Sequence, residues 1–173
     1  MPFTKLGLAP ELLRAIEAEG YTQPTPIQTG AIPVVLAKKD LLAGAQTGTG
    51  KTAAFGIPLV NFLLKTQKDT ALVMTPTREL ATQVMQTMNS LIGKGNIRTA
   101  LLIGGDSMHK QLKHMKRNPR LIVGTPGRIN DHLKRNTLRL NNTTFLVLDE
   151  SDRMLDMGFT PQINQVLETV PKK

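Results

Sequence analysis

Ala45-Gln46-Thr47-Gly48-Thr49-Gly50-Lys51-Thr52 decides the fold through what stands on either side of it. Asp40-Leu41-Leu42-Ala43-Gly44 precedes it as a short apolar run, and the residues from Thr52 to Leu64 follow with helical spacing. A strand, a Gly-rich turn and a helix opening on Lys-Thr form the context of a phosphate-binding loop. Glycines let successive backbone N–H groups curve around phosphates, and the helix N-terminus adds its positive dipole end. Lys51 is then placed to reach the β- and γ-phosphates of a nucleotide, and the Thr52 hydroxyl to ligate magnesium. The first position holds Ala45 instead of glycine. The framing elements therefore carry the reading over a Gly-rich turn that only caps a helix.

Outward from the loop, four more apolar runs recur: Ala71-Leu72-Val73-Met74-Thr75, Thr99-Ala100-Leu101-Leu102-Ile103, Arg120-Leu121-Ile122-Val123-Gly124 and Thr144-Phe145-Leu146-Val147-Leu148. Continuous hydrophobicity, as opposed to alternation, marks strands covered on both faces. Between the runs, Arg78 to Leu91, Ser107 to Lys116 and Ile129 to Lys134 have helical spacing. Strand alternating with helix predicts an α/β domain whose parallel sheet is flanked by helices. Two further helices are expected ahead of the first strand, about Pro10 to Ala18 and Pro26 to Ala37, the second kinked or restarted at Pro33. No repeat or flexible linker interrupts the 173 residues, which are expected to form one domain.

Lys and Arg outnumber Asp and Glu by 22 to 13, for a formal charge of +9. That excess favours a polyanionic partner, because phosphate contacts release condensed counterions. Aromatic residues are only 3% and Trp is absent, so contact with a nucleic acid is expected along the sugar-phosphate backbone and not by base stacking. Cysteine is absent, which excludes disulfides and fits a cytoplasmic setting. No apolar run approaches the ~18 residues of a membrane span, and no secretion signal is visible.

The run Phe145-Leu146-Val147-Leu148 ends in Asp149-Glu150, which puts two carboxylates at the edge where parallel sheets bind ligands. Asp149 is expected to hold magnesium, through water, and Glu150 to orient or deprotonate an attacking water. Taken alone, the pair also reads as a cap for the next helix. Asp152 has two readings as well, pairing with a basic residue or sitting as a helix-start carboxylate.

Together, Ala45 to Thr52 and Asp149-Glu150-Ser151-Asp152 resemble two signature motifs of the DEAD-box RNA helicases. The likeness covers nearly the whole chain. Gly20-Tyr21-Thr22-Gln23-Pro24-Thr25-Pro26-Ile27-Gln28 resembles the adenine-reading motif of that family, with Phe3 at its upstream aromatic position; the motif falls within residues 1–30. The resemblance implies a RecA-like P-loop NTPase domain that binds ATP and magnesium. Its nucleotide contacts would be Phe3, Tyr21, Gln28 and Ala45 through Thr52, with Lys51, Asp149 and Glu150 catalytic. A Gln amide can pair bidentately with adenine and not with guanine, although without the family Gln28 reads as an ordinary polar helix residue. Pro76-Thr77-Arg78-Glu79-Leu80-Ala81, Gly104-Gly105 and Thr125-Pro126-Gly127-Arg128 resemble the family's RNA-contacting motifs. Seen singly, each reads as a turn; in order after successive strands, they imply sequence-independent contact with RNA phosphates.

Two departures stand out. Ser151 occupies the position of the alanine in the family name, a small change expected to have little effect. In family members the chain continues past the region of Lys173 into a further strand carrying Ser-Ala-Thr and a second RecA-like domain with an arginine finger. Both are absent from these 173 residues, so ATP hydrolysis and unwinding are expected only with that second domain. The alternatives are a non-catalytic nucleotide- or RNA-binding fragment and a different P-loop enzyme. His109, His114 and His132 lack metal-ligand spacing and are expected at the surface or at helix caps. Lys110, Lys113, Lys116 and Arg117 read as a solvated helix face or an electrostatic landing patch. The methionines near Met154 and Met157 read as core filler.

Overall fold

The computed structural model describes residues 2–39 and 50–171. The expected first strand at 40–44 and the loop residues Ala45, Gln46, Thr47, Gly48 and Thr49 lie outside them. The chain divides into two compact units, Met1–Gln67 with Gln86–Asn96, and Lys68–Met85 with Ile97–Lys173.

The first unit is helical over its described residues. A 3-10 turn over Phe3–Lys5, not foreseen from the sequence, leads to α1 (Pro10–Ala18), α2 (Pro26–Leu36) and α3 (Lys51–Lys65). The second half of α4 (Arg78–Ile92) also belongs to this unit. Pro10 opens α1, where its missing N–H costs nothing, and Leu12, Ala15 and Ile16 recur at helical spacing to form its buried face. The α1 entry is tied to α3 by Ala9 N, which donates to the buried Asn61 Oδ1 at 2.8 Å. Further along α3, Gly56 permits a close approach: a Cβ there would stand 2.9 Å from Met88 Sδ and 3.0 Å from Leu91 Cδ1 of α4.

Of the kink or restart expected at Pro33, the restart does not occur. α2 runs from Pro26 through Leu36 with Pro33 inside it. Pro33 cannot donate to the turn before it, but the turn after it still closes, with Ala37 N donating to Pro33 O at 3.1 Å.

The second unit is built on a four-stranded sheet, β1 (Thr70–Met74), β2 (Thr99–Leu102), β3 (Leu121–Gly124) and β4 (Thr143–Leu148), in the order β2-β3-β1-β4. Every pairing is parallel, with Leu72 opposite both Ile122 and Leu146. Parallel neighbours need crossover connections, and here α4, α5 (Met108–Met115) and α6 (Pro126–Lys134) supply them. Leu72, Met74, Leu102, Ile122, Ile129, Met154 and Val166 form a core with the helices α7 (Ser151–Asp156) and α8 (Thr160–Leu167).

The expected α/β class with a parallel sheet therefore holds, and the four described strands fall within a residue or so of their sequence-based bounds. Other expectations need correction. α6 begins at Pro126, three residues earlier than its periodicity suggested, because proline suits a first turn. Met154 is core, but Met157, at the C-terminal cap of α7, is 47% exposed. His132 is neither at the surface nor a cap: it is fully buried.

Candidate functional site

In the first unit the described part of the phosphate-loop motif is Gly50-Lys51-Thr52, the start of α3. Gly50 is its N-cap, in the left-handed region at φ 82°. A side chain there is excluded twice, by that φ and by space, since a Cβ would lie 2.6 Å from Gln28 Nε2 and 2.9 Å from Thr25 Oγ1. Those neighbours come from the start of α2. Thr25 and Gln28 form a reciprocal capping box, with Gln28 Oε1 accepting from Thr25 N at 3.0 Å and Gln28 N donating to Thr25 Oγ1 at 3.4 Å. Gln28 Nε2 then donates to Gly50 O at 3.2 Å.

The structure thus brings the Gln28 motif and the end of the phosphate loop into direct contact. A side-chain amide has two N–H donors and two acceptor lone pairs, so these bonds leave Gln28 one N–H and one lone pair. Tyr21 is half-buried at the entry to this segment, and Phe3 is only 5% exposed. Phe3 therefore offers little free ring face for stacking.

In the second unit the chemistry collects at one edge of the sheet. Strands that all run the same way deliver their following loops to the same side, and Thr75–Arg78, Ile103–Gly105, Thr125–Arg128 and Asp149–Glu150 follow β1, β2, β3 and β4 respectively. The backbone carries the register one step beyond the strands, with Thr75 N donating to Gly124 O at 3.0 Å and Asp149 N to Met74 O at 2.9 Å. Thr77 Oγ1 accepts from Leu80 N at 3.1 Å, capping α4. The Arg78 guanidinium lies over Gly105, and its Nη1 donates to Gly104 O at 3.3 Å. A Cβ at Gly105 would make that flexible guanidinium shift, and the backbone itself, at φ 80°, favours glycine.

These loops border a groove of about 460 Å³, lined by Pro76, Thr77, Arg78, Gly104, Thr125 and Arg128 among others. Pro126 is buried as the first residue of α6 and does not line it. Glu79 and Gly127, quoted within those motifs but not singled out as contacts, also line the groove, as do Asp131 and Phe159, which sequence reading missed. Asp131 stands three residues after Arg128 and could have been included by proximity; Phe159 arrives from a distant segment and carries no local signal.

Asp149 is 4% exposed at the end of β4. Glu150 follows at φ 54°, ψ 50°, a left-handed conformation that is uncommon for a residue with a side chain. It stands at the N-cap of α7 without making a side-chain cap bond. Arg153 Nη1 lies 3.5 Å from Glu150 Oε1, and Asp152 sits in the first turn of α7 as a helix-start carboxylate. Strained backbone persists where surrounding structure holds it, commonly at functional positions.

A parallel α/β domain with a Lys-Thr helix start after a Gly-rich segment, and an acidic pair closing a strand, is the architecture of a nucleotide-binding domain. Comparison with known proteins makes the class specific. The chain belongs to the DEAD/DEAH box helicase family, whose model matches residues 25–173. It is 46% identical over 173 residues to the ATP-dependent rRNA helicase RRP3 of Meyerozyma guilliermondii, covering 99% of this chain and 36% of that protein. It is 47% identical over 170 residues to the DEAD-box ATP-dependent RNA helicase CshA of Geobacillus kaustophilus, covering 98% and 36%. The crystal structure of a DEAD box protein from the hyperthermophile Methanococcus jannaschii superposes with a TM-score of 0.92 at 42% identity, covering 99% of this chain and 47% of that one. The chain thus spans about a third of the length of these curated relatives.

Proposed function

We propose that these 173 residues are the first RecA-like domain of an ATP-dependent RNA helicase, binding ATP with magnesium and the backbone of RNA. The observation that carries the reading is the groove at the carboxyl ends of β1, β2 and β3, where Arg78, Arg128 and the Gly104-Gly105 turn meet. Arginine forks and helix starts are donors suited to phosphate oxygens, and Gly104, with open space where a Cβ would stand, lets a backbone come close. Such contacts position RNA without reading its sequence. Among the described residues no helix is long and apolar enough to cross a membrane, and a cytoplasmic setting is part of the proposal.

On the nucleotide side, the N–H and lone pair left on Gln28 match the acceptor and donor on adenine's outer edge. Lys51 supports the β- and γ-phosphates from the first turn of α3. By the family resemblance, the Thr52 hydroxyl and the Asp149 carboxylate, each an oxygen donor of the kind magnesium takes, are assigned to that ion. Magnesium, when bound, offsets charge on the phosphate oxygens. Glu150 orients the attacking water and accepts its proton. Ala45, Gln46, Thr47, Gly48 and Thr49 complete the nucleotide contacts in this proposal, with Tyr21 flanking. Hydrolysis and strand separation are assigned to the chain together with a second RecA-like domain, which supplies the transition-state arginine.

Competition of ADP and GDP against a fluorescent adenine nucleotide tests the nucleotide half. ADP is expected to win clearly on the wild-type chain and to lose most of that advantage in Gln28→Ala. Equal competition by GDP on the folded wild-type chain would remove the adenine assignment.

A further inference from the structure

Gln111 has no place in the recognised motifs, yet it is 1% exposed and bonded at both ends of its amide. Its Nε2 donates to Ile103 O at 2.8 Å, the carbonyl just before Gly104-Gly105. A carbonyl only accepts, so this contact fixes which end of the amide faces which way. Gln111 Oε1 is therefore turned toward α6, where it meets His132 Nε2 at 2.8 Å and Arg128 Nη1 at 3.5 Å. An amide oxygen accepts only, so both must donate. Arginine always can, and His132 must carry its proton on Nε2, leaving Nδ1 beside Thr137 Oγ1 at 2.9 Å.

One buried amide thereby joins three pieces of the groove wall: the end of β2, α5 and the start of α6. Arg128 has a side chain only 15% exposed, with Nε 3.8 Å from Asp131 Oδ2. Its guanidinium is thus steadied from one side by Gln111 and from another by Asp131. The next carbonyl along, Gly104 O, takes its bond from Arg78. Gln111 and Arg78 hold successive carbonyls of the same turn.

We propose that Gln111 is a positioning residue for the RNA groove, setting the spacing between the Gly104-Gly105 turn and the Arg128 guanidinium. The proposal rests on the RNA reading of that groove. Removing Gln111 would leave the Ile103 carbonyl and the His132 N–H unsatisfied in the interior and let the two halves of the wall shift independently. A purely structural amide would lower stability and leave the coupling to Arg128 untouched.

The test is a double-mutant cycle on a short fluorescein-labelled single-stranded RNA, read by anisotropy with Gln111→Met, Arg128→Gln and both, alongside ADP titration. Each single change is expected to weaken RNA binding roughly fivefold or more. The pair should be little worse than Arg128→Gln alone, because Gln111 acts through it, and ADP affinity should stay within about twofold of wild type. Fully additive losses, or an equal loss of ADP affinity, overturn the positioning role. If Arg128→Gln weakens binding and Gln111→Met does not, this inference falls and the RNA groove stands. If Arg128→Gln itself has no effect, the RNA reading falls and this inference with it. Should Gln111→Met fail to hold its fold by circular dichroism, Gln111→Glu replaces it in the same cycle. That variant keeps an acceptor for His132 and Arg128 while losing the N–H to Ile103, and the same outcomes decide.

Discussion

Gly50 shows how one residue can bind a loop to a distant helix. Its left-handed φ of 82° and the 2.6 Å that would separate a Cβ from Gln28 Nε2 act together. Gly50→Ala is expected to destabilise the chain by about 1–3 kcal/mol through strain and overpacking, read as a lower thermal midpoint. It should also weaken ADP binding, because Gln28 must move; unchanged midpoint and affinity would show that the contact is not needed. His132 makes the second residue-scale case. Burial, and then Arg128 and Arg135, lower its pKa from 6.5 against the opposing pull of Asp131. The unfolded chain therefore takes up this proton at a higher pH than the folded one. Stability from this group is intact above 6.5, falls as pH drops through the interval down to the lowered folded value, and levels off below it. Urea midpoints measured from about pH 7.5 to about pH 5 should decline, and His132→Gln should flatten that decline; an equal slope in the variant would assign the acid sensitivity elsewhere.

The start of α2 does two jobs as an element. Thr25 caps the helix, and in doing so holds Gln28, whose remaining hydrogen-bonding groups are the ones proposed for adenine. Thr25→Ala should cost about 1 kcal/mol of stability, the usual loss of an N-cap, and in the same variant discrimination of ADP from GDP should fall. A stability loss with discrimination intact would separate the cap from the reader. Local sequence already carried much of this. A Thr before Pro, with Gln three residues on, is a recognisable helix start, and the helix did begin at Pro26. The bond from Gln28 to Gly50 was not legible, because the two residues are 22 positions apart and no local pattern records which carbonyl an amide will meet.

For the molecule as a whole, the +9 charge becomes a measurable property only through the residues that meet phosphate. RNA affinity is expected to fall steeply with salt, with log K changing by about −0.7 per log unit of salt for each single-strand phosphate contact. Arg78→Ala should flatten that slope by roughly one such contact. An unaltered slope would place Arg78 outside the RNA footprint.

What the sequence determined by itself is the class of fold, the described strands to within a residue or so, and the motifs on the loops that follow them. The physical reason is that strands covered on both faces must be apolar throughout, while caps and turns are written in adjacent residues. Tertiary structure alone decided that Glu150 is held left-handed, that Met157 faces outward, that Phe159 reaches the groove, and that Gln111 and His132 share one buried network. Each of these depends on which distant segment packs alongside, a choice made by the burial of the whole core and not recorded in any neighbouring run of residues.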